Sequence, residues 1–320
     1  MRLGLDSYSF HIALAAGTYD LFRTLDWMES LGLAGMQINI NGPNGRFLGG
    51  NPADKAHVRR VRQAFARKGF FTEVGGMGTS LEAVEWQLNL CAELGAQVFR
   101  TLLIFRQNPE ETFRQTMHDL EQVLPLARKL GVRIALENHE DVTAEELRFC
   151  VAQMADPFLG VCLDSGNDLV LGGDPVRAAV ELAPFAFTTH IKDQKLVRCA
   201  GTVYSVGVPL GTGDVDLPGV LAAIRNRSSV QRILIQETFG YASPLNPFQR
   251  ADLPPLPCHD GVPAYESPAA LRAARLFLSL DGLPPDELRA QAIAEEAAIV
   301  QDVTRIRAWL ETTNPKPEAL

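Results

Sequence analysis

Apolar residues recur along this chain in two alternating patterns. Short apolar runs read as buried strands. Between them lie stretches with apolar residues at helical spacing, opened by a capping residue or a proline and closed by glycine. The first run covers residues 2–8 (RLGLDSY). A helix is predicted over 19–31, with Leu21, Leu25, Met28 and Leu31 on one stripe and Gly32 as its stop. Further strands are predicted over 35–40, 70–74 and 97–104. Helices run from Asn51-Pro52 to Lys68, from Thr79 or Ser80 to Gly95, and over 109–130.

The same period then repeats. Strands run from Val132 to Glu137, Leu159 to Asp164, Phe185 to His190 and Ile233 to Glu237. Helices fall over 143–154, 174–182 and 217–227, and residues 192–216 read as a longer loop. Eight strand–helix repeats fill about 240 residues, close to the ~250 typical of a (β/α)8 barrel. The rival, an open doubly wound sheet, calls for a glycine-rich phosphate turn after its first strand. Here that turn is SYSFH (residues 7–11), with no such glycines.

The predicted fold is therefore a (β/α)8 TIM barrel, one domain over residues 1–320. The barrel takes about 1–240. A proline-rich loop over about 240–268 follows the eighth strand, so it hangs on the catalytic face and is placed to act as a lid. C-terminal helices over about 269–311 close the barrel and offer a surface for a homo-oligomer, dimer or tetramer. Residues 314–320 read as a loose end.

The last four strands end in Glu137, Asp164, His190 and Glu237. A barrel keeps its active site at the carboxyl ends of its strands. Singly, such a residue is more often a helix cap or a loop residue. Four on consecutive strands point to one site for a divalent ion, with Mn²⁺, Mg²⁺, Co²⁺ and Zn²⁺ all compatible with this ligand set.

Composition narrows the picture. The formal net charge is −8, which opposes a nucleic-acid partner. The five cysteines are odd in number and form no CxxC pair, as expected of reduced thiols in a cytoplasmic protein. Strand-like sequence from Arg2 argues against a signal peptide, and no apolar run is long enough for a membrane span. Cytoplasmic localisation without a membrane partner is the expectation.

Other residues have two readings each. Lys192 is a substrate ligand or a loop lysine paired with Asp193. His139 and Asn167 lie just past strand ends, among other polar groups. Arg100, on the fourth strand, binds substrate or forms a structural ion pair. Asn39 and His11 follow strands two and one. Glu73 and the loop pair His259-Asp260 are weaker candidates, and Cys162 reads as a core thiol. The 208–214 loop, with Gly211 and Gly213, offers N–H groups to a phosphate, but no arginine pair accompanies it, so an unphosphorylated substrate is favoured.

The strings LENHED (136–141), CLDSGN (162–167), THIKD (189–193), VPLGTGD (208–214) and Gln236-Glu237 resemble the xylose-isomerase-like TIM barrel superfamily. Within it they are similar to the sugar phosphate isomerase/epimerase group. The resemblance implies that Glu137, Asp164, His190 and Glu237 hold one divalent metal, often Mn²⁺. It also implies that Glu137 and Glu237 exchange a proton beside a carbonyl, on a small carbohydrate: a sugar, keto-sugar, cyclitol or sugar phosphate. The implied activity is a metal-dependent isomerase or epimerase of carbohydrate metabolism working through an enolate. A lyase or dehydratase is the alternative, because the same enolate can expel a leaving group. Ketose 3-epimerases of the group carry a histidine three residues after the aspartate ligand, where this chain has Asn167. An apurinic-site endonuclease needs more ligands than six histidines and few acidic strand ends supply, and a non-catalytic sugar-binding barrel is the remaining reading.

Overall fold

The computed structural model describes residues 1–40, 42–253 and 261–312, side chains of 42–44 excepted. His259, Asp260 and the 314–320 tail lie outside the described residues.

Eight parallel strands form the barrel: β1 (Arg2–Asp6), β2 (Gly35–Asn39), β3 (Phe71–Gly75), β4 (Val98–Thr101), β5 (Arg133–Glu137), β6 (Leu159–Asp164), β7 (Ala186–His190) and, after a hairpin described below, β10 (Arg232–Ile235). They hydrogen-bond in the order β10-β1-β2-β3-β4-β5-β6-β7. The ring closes just past the end of β7, where the Ile191 N–H donates to Leu234 O and the Gln236 N–H to Ile191 O. Both faces of a parallel barrel are covered, so these strands are nearly continuous in apolar residues. The eight-stranded barrel expected from the period is what forms.

The helices pack outside: α1 (His11–Ala15), α2 (Leu21–Ser30), α3 (Lys55–Lys68), α4 (Leu81–Leu94), α5 (Pro109–Leu130), α6 (Ala144–Met154), α7 (Pro175–Leu182), α8 (Leu217–Arg227), α9 (Pro268–Ala273) and α10 (Pro285–Thr312). Their ends follow local chemistry. Asp54, Ser80 and Asn108 cap α3, α4 and α5, and left-handed Gly69, Gly95 and Gly131 close them. Thr143 and Glu146 form a capping box on α6, which satisfies two otherwise orphaned N–H groups.

Three expectations need correction. Residues 192–216 are not simply a loop. They hold a hairpin of β8 (Asp193–Cys199) and β9 (Thr202–Val208), turned at Ala200 and Gly201, both with positive φ. A two-residue turn of that kind matches the twist of paired strands. With β11 (Ala242–Pro244) and β12 (Ala264–Tyr265) the hairpin makes a second sheet, order β11-β9-β8-β12, over a small core of Val197, Val206 and Leu271. Second, the helix from residue 269 ends at Ala273. Arg275 turns left-handed, and Leu276 and Leu278 pack against that second core instead of continuing the helix. Third, the helix predicted from Asn51 starts at Lys55, because Asp54 accepts the first free N–H groups.

α10 lies against α1 and the turn before it. It buries Glu295, Ile299, Asp302, Val303 and Ile306 along one stripe.

Candidate active site

Strand alternation sends every second side chain into the barrel. At the carboxyl ends this brings Asp6, Asn39, Arg100, Glu137, Asp164 and His190 together, all under 9% exposed. His190 is the hub. Its Nδ1 lies 3.5 Å from Glu137 Oε1 and 3.8 Å from Asp164 Oδ2. Its Nε2 lies 3.0 Å from Gln37 Oε1 and 3.7 Å from Asp6 Oδ2.

Two protein cations share this space. Arg100 Nε sits 3.1 Å from Glu137 Oε2, and its NH2 donates to Asn39 Oδ1. Lys192 Nζ donates to Asn167 Oδ1 at 2.6 Å and lies 3.3 Å from Asp164 Oδ2. Lys192 is thus paired with Asp164, not with Asp193. The electrostatics follow. Burial opposes ionisation of Glu137, but Arg100 and His190 outweigh it and hold the carboxyl well below the usual range. Burial pushes Asp164 up, with Lys192 opposing it. Burial alone depresses His190, and Glu137 more than reverses that, so the imidazole sits above its ordinary value.

A cavity of about 130 Å³ opens above the hub, lined by Tyr8, Asn39, Arg100, Leu102, Glu137, His139, Lys192, Gln236, Thr238 and Tyr241. Of the sequence-predicted residues, Asn39, Arg100, Glu137, His139 and Lys192 line it. Asn167 stands behind them, donating to Asn138 O at 2.8 Å and accepting from Lys192.

Two predicted residues lie elsewhere. In the last strand Gln236 takes the inward position and reaches Asp6 Oδ1 and His190 Nδ1 at 3.3 and 3.2 Å. Glu237, one residue on, turns to the other side. Its Oε1 accepts the Phe239 N–H at 2.9 Å, and its carboxyl faces Asp302 of α10. His11 joins that second cluster, with Nδ1 3.0 Å from Glu295 Oε1. Glu73 points into the barrel lower down, against Arg232 at 3.2 Å. The N–H groups of Gly211, Thr212 and Gly213, read as a phosphate cradle, all donate to the Asp193 carboxylate.

The residues missed from sequence are Asp6, Gln37, Gln236, Tyr8 and Tyr241. Asp6 had a signal, since it ends its strand just as Asp164 does. Gln236 had one in alternation. Tyr8 lies in the helical turn after β1 and Tyr241 in the segment after β10, and neither carried a local signal.

Glu137 Oε2 and Asp164 Oδ2 are buried without a hydrogen bond among the described residues. Ligand atoms of Glu137, Cys162 and His190 lie within 4.8 Å of one another. These three groups come close enough to share a divalent ion, and Asp164 lies beside them, its Oδ2 3.8 Å from His190 Nδ1.

A closed parallel barrel with a polar, charged mouth at the carboxyl ends of its strands is the working end of a TIM-barrel enzyme. The sequence pattern of the xylose isomerase-like TIM barrel family matches residues 25–255, and the chain belongs to that family. It is 27% identical over 183 residues to the 3-oxo-isoapionate decarboxylase of Pectobacterium atrosepticum, a match that covers 56% of this chain and 66% of that protein, just under two thirds of its length. Among solved structures it resembles the IOLI protein with a bound zinc atom, with a TM-score of 0.62 and 15% identity over 95% of this chain and 99% of that one. It also resembles L-ribulose 3-epimerase, with a TM-score of 0.62 and 14% identity over 99% of each chain. Two of these proteins are enzymes by name, the decarboxylase and the epimerase. Among the described residues no helix is long and apolar enough to cross a membrane.

Proposed function

We propose that the protein is a proton-transfer isomerase of a small keto-sugar or related sugar derivative, working through an enolate. The observation that carries this is the placement of Glu137: buried, 3.1 Å from Arg100 Nε, and facing a cavity whose other walls supply Lys192 and His139. Glu137, Asp164 and His190 would hold a divalent ion, Mn²⁺ being the expected one with Mg²⁺, Co²⁺ or Zn²⁺ as alternatives. Such an ion would polarise a carbonyl oxygen and stabilise the charge that develops on it.

The chain's own residues do the rest. Glu137 takes the proton from the carbon beside the carbonyl. Arg100 and Lys192 offset negative charge in a site shielded from water. Asn39 holds the Arg100 fork in place. The N–H groups of Gly211, Thr212 and Gly213 are taken up by Asp193 and lie outside the cavity lining, which favours an unphosphorylated substrate.

The lyase reading has its own support. Epimerisation by two carboxylates needs a second one across the cavity, and Gln236 stands there while Glu237 is turned to Asp302. Loss of a β-leaving group from the same enolate, or loss of CO₂ from a β-keto acid to form an enolate, needs no such partner, and a curated relative is named as a decarboxylase.

The test is turnover in ²H₂O with Mn²⁺ and a panel of ketoses, cyclitols and 3-keto-sugars. Deuterium in an intact, isomerised product supports the first reading. Release of water or CO₂ supports the second. No exchange and no product from any of the panel overturns both.

A further inference from the structure

An enolate must be protonated again at carbon, and Glu137 is a single carboxylate on one wall of the cavity. The segment after β10 brings another group to the mouth. Tyr241 lines the cavity beside Tyr8, and its hydroxyl donates to Glu140 Oε1 at 2.9 Å. Glu140 is buried, and Tyr241 is half-buried at the mouth. The Tyr8 ring meets Tyr241 edge-on, 6.4 Å between centroids, and is itself stacked on His11 at 4.3 Å. Backbone bonds complete the mounting: the Tyr241 N–H donates to Thr238 O, and Tyr241 O accepts from the Gly207 N–H. The phenol is thus fixed at ring and backbone and its O–H is held by Glu140, and rotation about the C–O bond turns that O–H to another acceptor in the cavity. Burial and then Glu140 raise Tyr241 above the ordinary phenol range. It therefore keeps its proton until a stronger base comes against it, and an enolate carbon is such a base.

We propose that Tyr241 is the second acid–base group of this cavity, the proton donor to the enolate carbon, with Glu140 as the positioning residue that holds its hydroxyl. The proposal rests on the enolate reading above. In the step, the Tyr241 O–H bond breaks and its electron pair stays on oxygen. The electron pair of the enolate forms the new C–H bond. The phenolate then regains a proton from solvent at the open mouth, and Glu137 gives up to solvent the proton it took, so the enzyme returns unchanged.

Tyr241→Phe keeps the ring and its contact with Tyr8. With the same panel in ²H₂O, the variant is expected to form product about 100-fold more slowly or worse, the scale of one lost acid–base group, while deuterium still washes into recovered substrate within about threefold of the unaltered rate, because Glu137 is intact. Glu140→Gln leaves an acceptor and is expected to lower product formation by about tenfold, with exchange again preserved. An unchanged thermal unfolding midpoint for both variants shows that the fold is intact. Exchange and product formation falling in parallel, or neither falling, overturns the proposal and leaves Tyr241 as a latch on the roof. If the unaltered protein exchanges no deuterium into any probe, the enolate reading itself has failed, and this proposal falls with it.

Discussion

The barrel mouth and the seam beneath α10 are built from the same residue types. The mouth holds Asp6, Glu137, Asp164 and His190, and the seam holds Glu237, Asp302, Glu295 and His11. Both are buried, and along the last strand they are one residue apart, Gln236 facing the first and Glu237 the second. They differ in counter-charge. The mouth has Arg100 and Lys192 within 3.1 and 3.3 Å of its carboxylates. The seam has His11 and Arg305, whose NH1 is 3.3 Å from Asp302 Oδ1 and whose side chain is 35% exposed. A buried carboxylate must be compensated by a cation or by a proton. In the mouth a cation holds Glu137 ionised. In the seam burial, then Glu237, push Asp302 up to about 10, and burial pushes Glu295 up to about 7. The seam thus joins α10 to the barrel through acids whose pKa values are raised, whereas the mouth holds a carboxyl whose pKa is lowered.

This contrast is open to direct attack. The largest expected effect is on activity. Glu137→Gln should lower turnover by about 10²- to 10⁴-fold, the range for a lost acid–base group. Glu237→Gln, measured in the same assay, should stay within about tenfold of the unaltered protein, since its carboxyl does not line the cavity. Equal losses would mean that Glu237 turns inward during turnover and that the two clusters are functionally one.

Metal linkage comes next. Mn²⁺ at about 100 times its dissociation constant should stabilise the protein by about 2.7 kcal/mol, read as a rise in unfolding temperature that a chelator reverses. Asp164→Asn should abolish the rise and Glu237→Gln should preserve it. A rise that survives Asp164→Asn would place the ion elsewhere.

The smallest effect is on the pH dependence of stability. The unfolded chain releases its carboxyl protons near pH 4. The folded seam holds some of them to higher pH, because its pKa values are raised. Stability therefore falls as pH rises from about 4 towards about 10, at no more than about 1.4 kcal/mol per pH unit for each retained proton. Asp302→Asn should flatten that slope. Glu137 has the opposite sign: its lowered pKa contributes stability above pH ~4 that is lost on acidification. Denaturant titrations at several pH values separate the two arms. An unchanged alkaline slope in Asp302→Asn would show that the seam acids are ionised.

Much of the fold was legible in order. The apolar runs, the helix caps and the closing glycines are local signals, and they located the barrel strands to within a few residues. The 192–216 hairpin was missed because its alternation was judged against the dominant strand–helix period, although Ala200-Gly201 marks a turn. The helical stretch expected from residue 269 breaks off at Ala273 because Leu276 and Leu278 serve a second core instead. At the site, Glu137, Asp164 and His190 were found because each ends a strand. Glu237 looks the same by that rule. It differs only because the last strand's register turns Gln236 inward, and a shift of one residue exchanges the two faces of a strand.

The sequence by itself determined the elements, their order and the three groups that meet at the hub. These depend on periodicity and on strand ends, which are properties of neighbouring residues. Only the tertiary structure decided which carboxylates stay charged. That depends on whether Arg100, Lys192 or another acid comes within a few ångströms. It also depends on loops such as the one carrying Tyr241, which are brought to the mouth by packing and not by any local pattern.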